Sequence, residues 1–309
     1  MARALKQIFV NELKNGKFQP ILQAVLDDDT LDLELRGDRV IIYYRGGKLL
    51  TLKEDGTLES LDKKYQQDKT ILKTIPSFEN IEDYIQQAKK IVDYYVIHKK
   101  NHLGEKDIQQ MIIRENNYSP IDKDTDFFII DTEYEENSSE GRFDMIALQW
   151  NSTASDHRYK KVELAFIEVK QGFKSVGSTN GKEDITKPGL LKHFQDYKKF
   201  VTTVPFEDFK NEMLIVFKQK KELGLIPNAP SIENIKDFRI PNETKFYVIL
   251  ANYKPASDTL MNELDAMDKA GITDCLFFTS SFCGYGLYKE GIKTQDEIKN
   301  IIKRSKSIK

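Results

Sequence analysis

Four carboxylates stand among residues that argue for burial. Asp131 and Glu133 fall inside FFIIDTEYE, Asp144 inside GRFDMIAL and Glu168 inside ELAFIEVKQG, each an otherwise apolar run. A carboxylate is expensive to take out of water, so something must compensate each of them. Alternation along a strand puts Glu168 and Lys170 on one face and Val169 on the other. If Ser138-Ser139 form a two-residue turn, Asn137 pairs with Glu140 and Glu133 falls directly opposite Asp144, where cross-strand neighbours share a face. Three acids and a lysine converging in this way suit a hard divalent cation, Mg²⁺ or Mn²⁺, held by one or two carboxylates, water and a substrate phosphate.

The elements that must position these groups are short and alternate in type. A helix is expected over residues 3–14, ended near Gly16, then strands over 31–35, 40–44 and 49–52, separated by Gly37-Asp38 and Gly46-Gly47 and closed by Asp55-Gly56. That is a three-stranded meander. From Ser77 onward Ile81, Tyr84, Ile85, Ala88, Ile91, Val92 and Tyr95 recur at helical spacing. A second helix over 105–114 follows, with Ile108, Met111 and Ile112 on one side. Strands over 127–135, 142–150 and 164–170 carry the acids. Helices over about 187–201 and from Pro205 to Gly224, a strand at 246–252, a Ser257-capped helix to residue 270 and a strand at 275–278 complete an α/β layout. The chain divides on this reading into a helix-plus-meander region, residues 1–76, and a larger domain, residues 77–309.

Arg142-Phe143-Asp144-Met145-Ile146, followed by an apolar strand ending in Glu168-Val169-Lys170, resembles the PD-(D/E)xK nuclease superfamily of restriction endonucleases, lambda exonuclease and the nuclease domains of bacterial helicase–nucleases. The resemblance covers about residues 105–201. It implies a restriction-endonuclease-like αβββαβ core with a mixed sheet, in which Asp144 and Glu168 bind the metal and Lys170 orients or deprotonates the attacking water. A bound metal lowers the pKa of its water and offsets charge on the phosphodiester, and a positioned amine assists proton transfer or steadies the oxyanion. The family often adds a glutamate on the helix before the first strand. Glu105 fits best, since it shares a helix face with Ile108 and Ile112, and Glu115 satisfies the same geometry at the other end. The Pro-Asp that names the superfamily is Phe143-Asp144 here. Gln195 and Tyr197 have the residue types some members place on the following helix, without the usual spacing; His193, at the border of that helix's apolar stripe, reads first as a partly buried structural histidine and second as a substrate-binding group reaching the site.

Other motifs carry less. His98 and His102 have the spacing of helical metal ligands, but they flank Lys99, Lys100 and Asn101 and read as a solvated helix end. GSTNGKED lacks the first glycine and the hydroxyl of a phosphate-binding P-loop, with Val176 and Glu183 in those places. The strand IIDTEYE also resembles the first motif of DEDD-type 3′–5′ exonucleases, through Asp131 and Glu133. That family's last motif is absent, since Lys198 and Val201 stand where its aspartate belongs.

Composition narrows the partners. The 309 residues are 31% charged and 39% hydrophobic, with 47 Lys+Arg against 49 Asp+Glu, a formal charge of −2. A uniformly basic nucleic-acid coat is thereby excluded. No run approaches the ~18 apolar residues of a membrane span, and no secretory leader pattern precedes the first helix, so a soluble cytoplasmic protein is expected. Cys275 and Cys283 are too few for a disulfide framework or a structural zinc site. Local charge tells more than the total. Residues 126–144 hold seven acids and one base, whereas 168–200 hold seven bases and four acids. Lys174 and Lys182, on a glycine-containing loop beside the acids, suit a phosphate clamp for nucleic acid, DNA in the first instance. The competing reading is a non-catalytic nucleic-acid or protein-binding module. The meander is a surface for a second copy of the chain or a protein partner, a substrate sensor, or padding.

Overall fold

The computed structural model describes residues 2–66, 72–100, 104–118, 125–135, 141–150, 162–172, 176–177, 189–203, 205–230, 240–280 and 284–307. Its elements, in chain order, are α1 (Gln7–Asn15), α2 (Gln19–Leu26), β1 (Asp32–Leu35), β2 (Arg39–Tyr44), β3 (Gly47–Lys53), β4 (Leu58–Glu59), α3 (Ile81–Tyr95), α4 (Glu105–Ile113), β5 (Phe127–Glu135), β6 (Arg142–Trp150), β7 (Val162–Gln171), α5 (Leu190–Thr203), α6 (Phe206–Glu222), β8 (Thr244–Ala251), α7 (Asp258–Lys269), β9 (Leu276–Ser280), β10 (Lys293–Thr294) and α8 (Gln295–Ser307). The fold is mixed α/β with two sheets. Among the described residues no helix is long and apolar enough to cross a membrane.

Two compact units result, Met1–Asp122 with Lys210–Pro230, and Lys123–Phe209 with Ser231–Lys309. The division therefore lies elsewhere than at residue 76, and hydrogen bonds show why. In the first unit the sheet order is β1-β2-β3-β4, antiparallel throughout. The buried Tyr84 of α3 donates its hydroxyl hydrogen to the Leu49 carbonyl at 2.9 Å and accepts the Leu61 N–H at 2.7 Å. Arg45 adopts the left-handed backbone (φ 48°) in the β2–β3 turn, a strained conformation for a long side chain. Its guanidinium reaches Asp93 of α3 at 2.9 Å and Asp107 of α4 at 2.8 Å, which clips the turn to both helices. Gly46 beside it has no room for a Cβ, because the Lys106 side chain of α4 occupies that space.

Residues 210–230 join this unit through buried polar pairs. The Leu5 N–H and carbonyl are both bonded by the Gln219 amide, at 2.9 and 2.7 Å. Lys220 Nζ lies 2.8 Å from Glu34 Oε1, with both side chains almost wholly buried, and Arg36 Nη1 lies 3.3 Å from Glu34 Oε2.

The second unit is built on a six-stranded sheet of order β10-β9-β8-β7-β6-β5. β5, β6 and β7 are antiparallel neighbours, while β8 and β9 run parallel to β7. β7 is thus where the sheet changes from antiparallel to parallel, and its length, Val162–Gln171, exceeds the 164–170 expected. Gly172 ends it at φ 66°, its N–H bonded to Ala251. One face carries an aromatic cluster of Tyr134, Phe143, Phe166, Phe200 and Phe209, in which Phe143 and Phe166 pack at 4.7 Å and Phe143 and Phe200 at 5.1 Å. Each such pair adds roughly 0.5–1.5 kcal/mol beyond burial itself.

The sequence expectation placed no element at α2, β4, β10 or α8. α8 lies in what reads as a Lys-rich tail. Its core stripe is only Ile298 and Ile302, helped by the buried Gln295 amide, which donates to the Leu264 carbonyl at 3.2 Å.

Candidate functional site

Asp144, Glu168, Lys170 and His193 come together in the second unit. The β6–β7 ladder runs from Trp150↔Val162 to Met145↔Ile167 and stops there. At the next position Asp144 Oδ2 accepts the Val169 N–H at 2.7 Å, so a side chain replaces the ladder bond and is drawn against the Glu168-Val169-Lys170 segment. Glu168 and Lys170 share a strand face, and Lys170 Nζ lies 2.5 Å from Glu168 Oε1, both side chains being under a tenth exposed.

His193 arrives from α5. The helix is seated by Phe194 on Phe246 at 5.6 Å and Tyr197 on Phe166 at 5.3 Å. The Tyr197 hydroxyl donates to the Thr244 carbonyl at 3.1 Å. One residue before Phe194, His193 Nε2 lies 3.2 Å from Lys170 Nζ and 3.2 Å from Glu168 Oε1. Burial pushes this imidazole down to about 3, and the positive charges of Lys170, Lys192 and Arg142 act in the same direction. The ring is therefore neutral at physiological pH, and its contact with Glu168 is not an ion pair.

Glu133 stands differently. The pairs Thr132↔Met145 and Tyr134↔Phe143 place it opposite Asp144, as the turn arithmetic predicts. Its backbone, however, is left-handed at φ 48°, which interrupts the regular pleat, and its carboxylate is 3.9 Å from Arg142 at the half-exposed end of the hairpin. Among the described residues no group of three or more His, Cys, Asp or Glu side chains is gathered to hold an ion. The carboxylate oxygens that could serve a metal here are those of Asp144, which also accepts the Val169 N–H, and Glu168, which also pairs with Lys170. Asp131 is buried beyond a bulge between Ile129 and Asp131, and its Oδ1 accepts the Thr132 N–H at 2.9 Å.

Glu105 opens α4 and Glu115 follows it, both in the first unit. Lys174 and Lys182, and the 136–140 turn, lie outside the described residues, as does His102. His98 stacks on Tyr94 at 4.0 Å, an exposed helix-end contact. Gln195 is exposed and Tyr197 is a packing residue. His193 is the residue that sequence reasoning undervalued. Its signal is its place on the amphipathic helix that follows the Glu-x-Lys strand, immediately before the buried Phe194. Against known proteins, no family model, no curated protein and no solved structure matches this chain.

Proposed function

We propose that the chain is a metal-dependent nuclease of the PD-(D/E)xK type, hydrolysing phosphodiester bonds of nucleic acid, with DNA as the first substrate. The observation that carries this reading is the Asp144 Oδ2 to Val169 N–H bond, which draws a second carboxylate to the Glu168-Val169-Lys170 strand. The order along the chain of β5, β6, β7, α5 and β8, with β8 parallel to β7, supports a restriction-endonuclease-like core.

Two carboxylates fit Mg²⁺ or Mn²⁺, because a small hard cation keeps several waters and needs few protein oxygens. Asp144 and Glu168 would hold it, and when bound it makes hydroxide accessible at neutral pH and offsets phosphate charge. Lys170 does the rest from this chain. Its ammonium, on the same face as Glu168, donates toward the attacking oxygen or the developing negative charge.

Purified protein with Mg²⁺ or Mn²⁺ is expected to cut DNA, and EDTA to stop it. Asp144→Asn, which retains an acceptor for the Val169 N–H, and Lys170→Ala are each expected to lower the rate by about 10²–10⁴-fold. Undiminished cutting by these variants sinks the assignment. DNA binding without cleavage of any substrate points to a non-catalytic binding module instead.

A further inference from the structure

We infer that His193 is a positioning residue for Lys170, its Nε2 holding the ammonium in place as a second acceptor beside Glu168. The inference rests on the nuclease reading above and adds a group from a different element to the same site.

His193 Nε2 makes two contacts at equal range, 3.2 Å to Lys170 Nζ and 3.2 Å to Glu168 Oε1, and the first joins an ammonium to a ring nitrogen from another element. Lys170 Nζ is 2.5 Å from Glu168 Oε1 and 3.2 Å from His193 Nε2. Glu168 and Lys170 share one strand, so neither by itself resists a joint swing of the two side chains. His193 comes from α5, which is fixed to β7 and β8 through Tyr197 and Phe194. A second acceptor on a separately anchored element restricts the ammonium more than Glu168 alone does. The arrangement requires Nε2 to carry a lone pair and Nδ1 the proton. An ammonium has only donors, so its 3.2 Å approach to Nε2 is a hydrogen bond when that nitrogen accepts.

The contact matters most when a cation draws on Glu168. A carboxylate engaged by Mg²⁺ offers Lys170 less negative charge, and the cation also repels the ammonium. His193 then retains Lys170 at the site. Outer residues of this kind typically change activity or metal affinity by about 10–100-fold.

Three readouts test this. In metal-free protein, ¹⁵N–¹H correlation of the imidazole is expected to show an unprotonated Nε2 whose shift moves in Lys170→Met. With Mn²⁺ and DNA, His193→Leu is expected to lower kcat by about 10–100-fold while KM changes less than about threefold, and His193→Gln, whose amide oxygen can accept from Lys170, is expected to recover most of the loss. Calorimetric Mn²⁺ uptake by His193→Leu is expected to be no weaker than by wild type, because an ammonium no longer held at the site opposes the cation less. A protonated Nε2, an Nε2 indifferent to Lys170→Met, or a His193→Leu variant that cuts as fast as a competent wild type overturns the inference alone. Wild-type protein that neither takes up Mn²⁺ nor cuts overturns the nuclease reading, and the positioning role with it.

Discussion

At Asp144 a carboxylate does the work of a backbone carbonyl. By accepting the Val169 N–H where the β6–β7 ladder ends, it satisfies a donor that burial would otherwise leave costly. Asp144→Leu is therefore expected to lose about 1–3 kcal/mol of stability in addition to activity, whereas Asp144→Asn loses activity with a smaller stability change. Urea unfolding of the two variants separates these effects, and equal destabilisation would contradict the assigned acceptor role. In the first unit, Asp28 supplies a pH-dependent contribution. Partial burial pushes its carboxyl up, but hydrogen bonds from Lys89, at 2.5 Å, and from Thr30 outweigh it and hold the group below its usual range. Because the folded-state value is the lower one, the stabilisation is complete above the unfolded value of 3.8 and is lost as pH falls through the folded one. Asp28→Asn is expected to be about 1 kcal/mol less stable than wild type at pH 7, with the gap closing toward pH 2. A gap that persists at acid pH would exclude this linkage.

Element placement depends on side chains remote from the acids. α5 delivers His193 only because the apolar stripe beside it is held by the Phe166–Phe200–Phe209 cluster and by the Tyr197 hydroxyl on Thr244. Removing Phe200, nearly wholly buried, leaves a void beside β6 and β7. Phe200→Ala is expected to lower stability by about 3–5 kcal/mol and to impair cleavage, although it touches none of the proposed catalytic atoms. Chemical denaturation together with a cleavage assay checks both. Strands β5 and β6 were legible to the residue, because apolar runs bounded by turn residues and acids mark their ends. α8 and α2 were not. α2 is too short at eight residues to show a clear period, α8 has only Ile298 and Ile302 as a buried apolar stripe on a charged background, and the helicity of each comes from packing.

Across the whole chain, the division into units follows pairs far apart in sequence. Glu34 and Lys220, 2.8 Å apart and both buried, join the meander to residues 210–230. Lys220→Met leaves a buried carboxylate with less compensation and is expected to destabilise the first unit by about 3–5 kcal/mol. Combining it with Glu34→Gln is expected to restore most of that stability. Additive losses in this double-mutant cycle would show that the pair is not coupled.

Residue types and their spacing were enough to determine the acidic hairpin, the Glu168–Lys170 strand and the opposition of Glu133 to Asp144, because strand alternation and turn length are local properties. Only the tertiary structure decided that Asp144 bonds to Val169, that Glu133 turns through a left-handed backbone toward Arg142, and that His193 rather than Gln195 meets Lys170. Those outcomes depend on where a ladder stops and how a helix rolls on a sheet. Both are set by aromatic packing between segments dozens of residues apart, and a one-dimensional pattern records which side chains are apolar without recording which partners they meet.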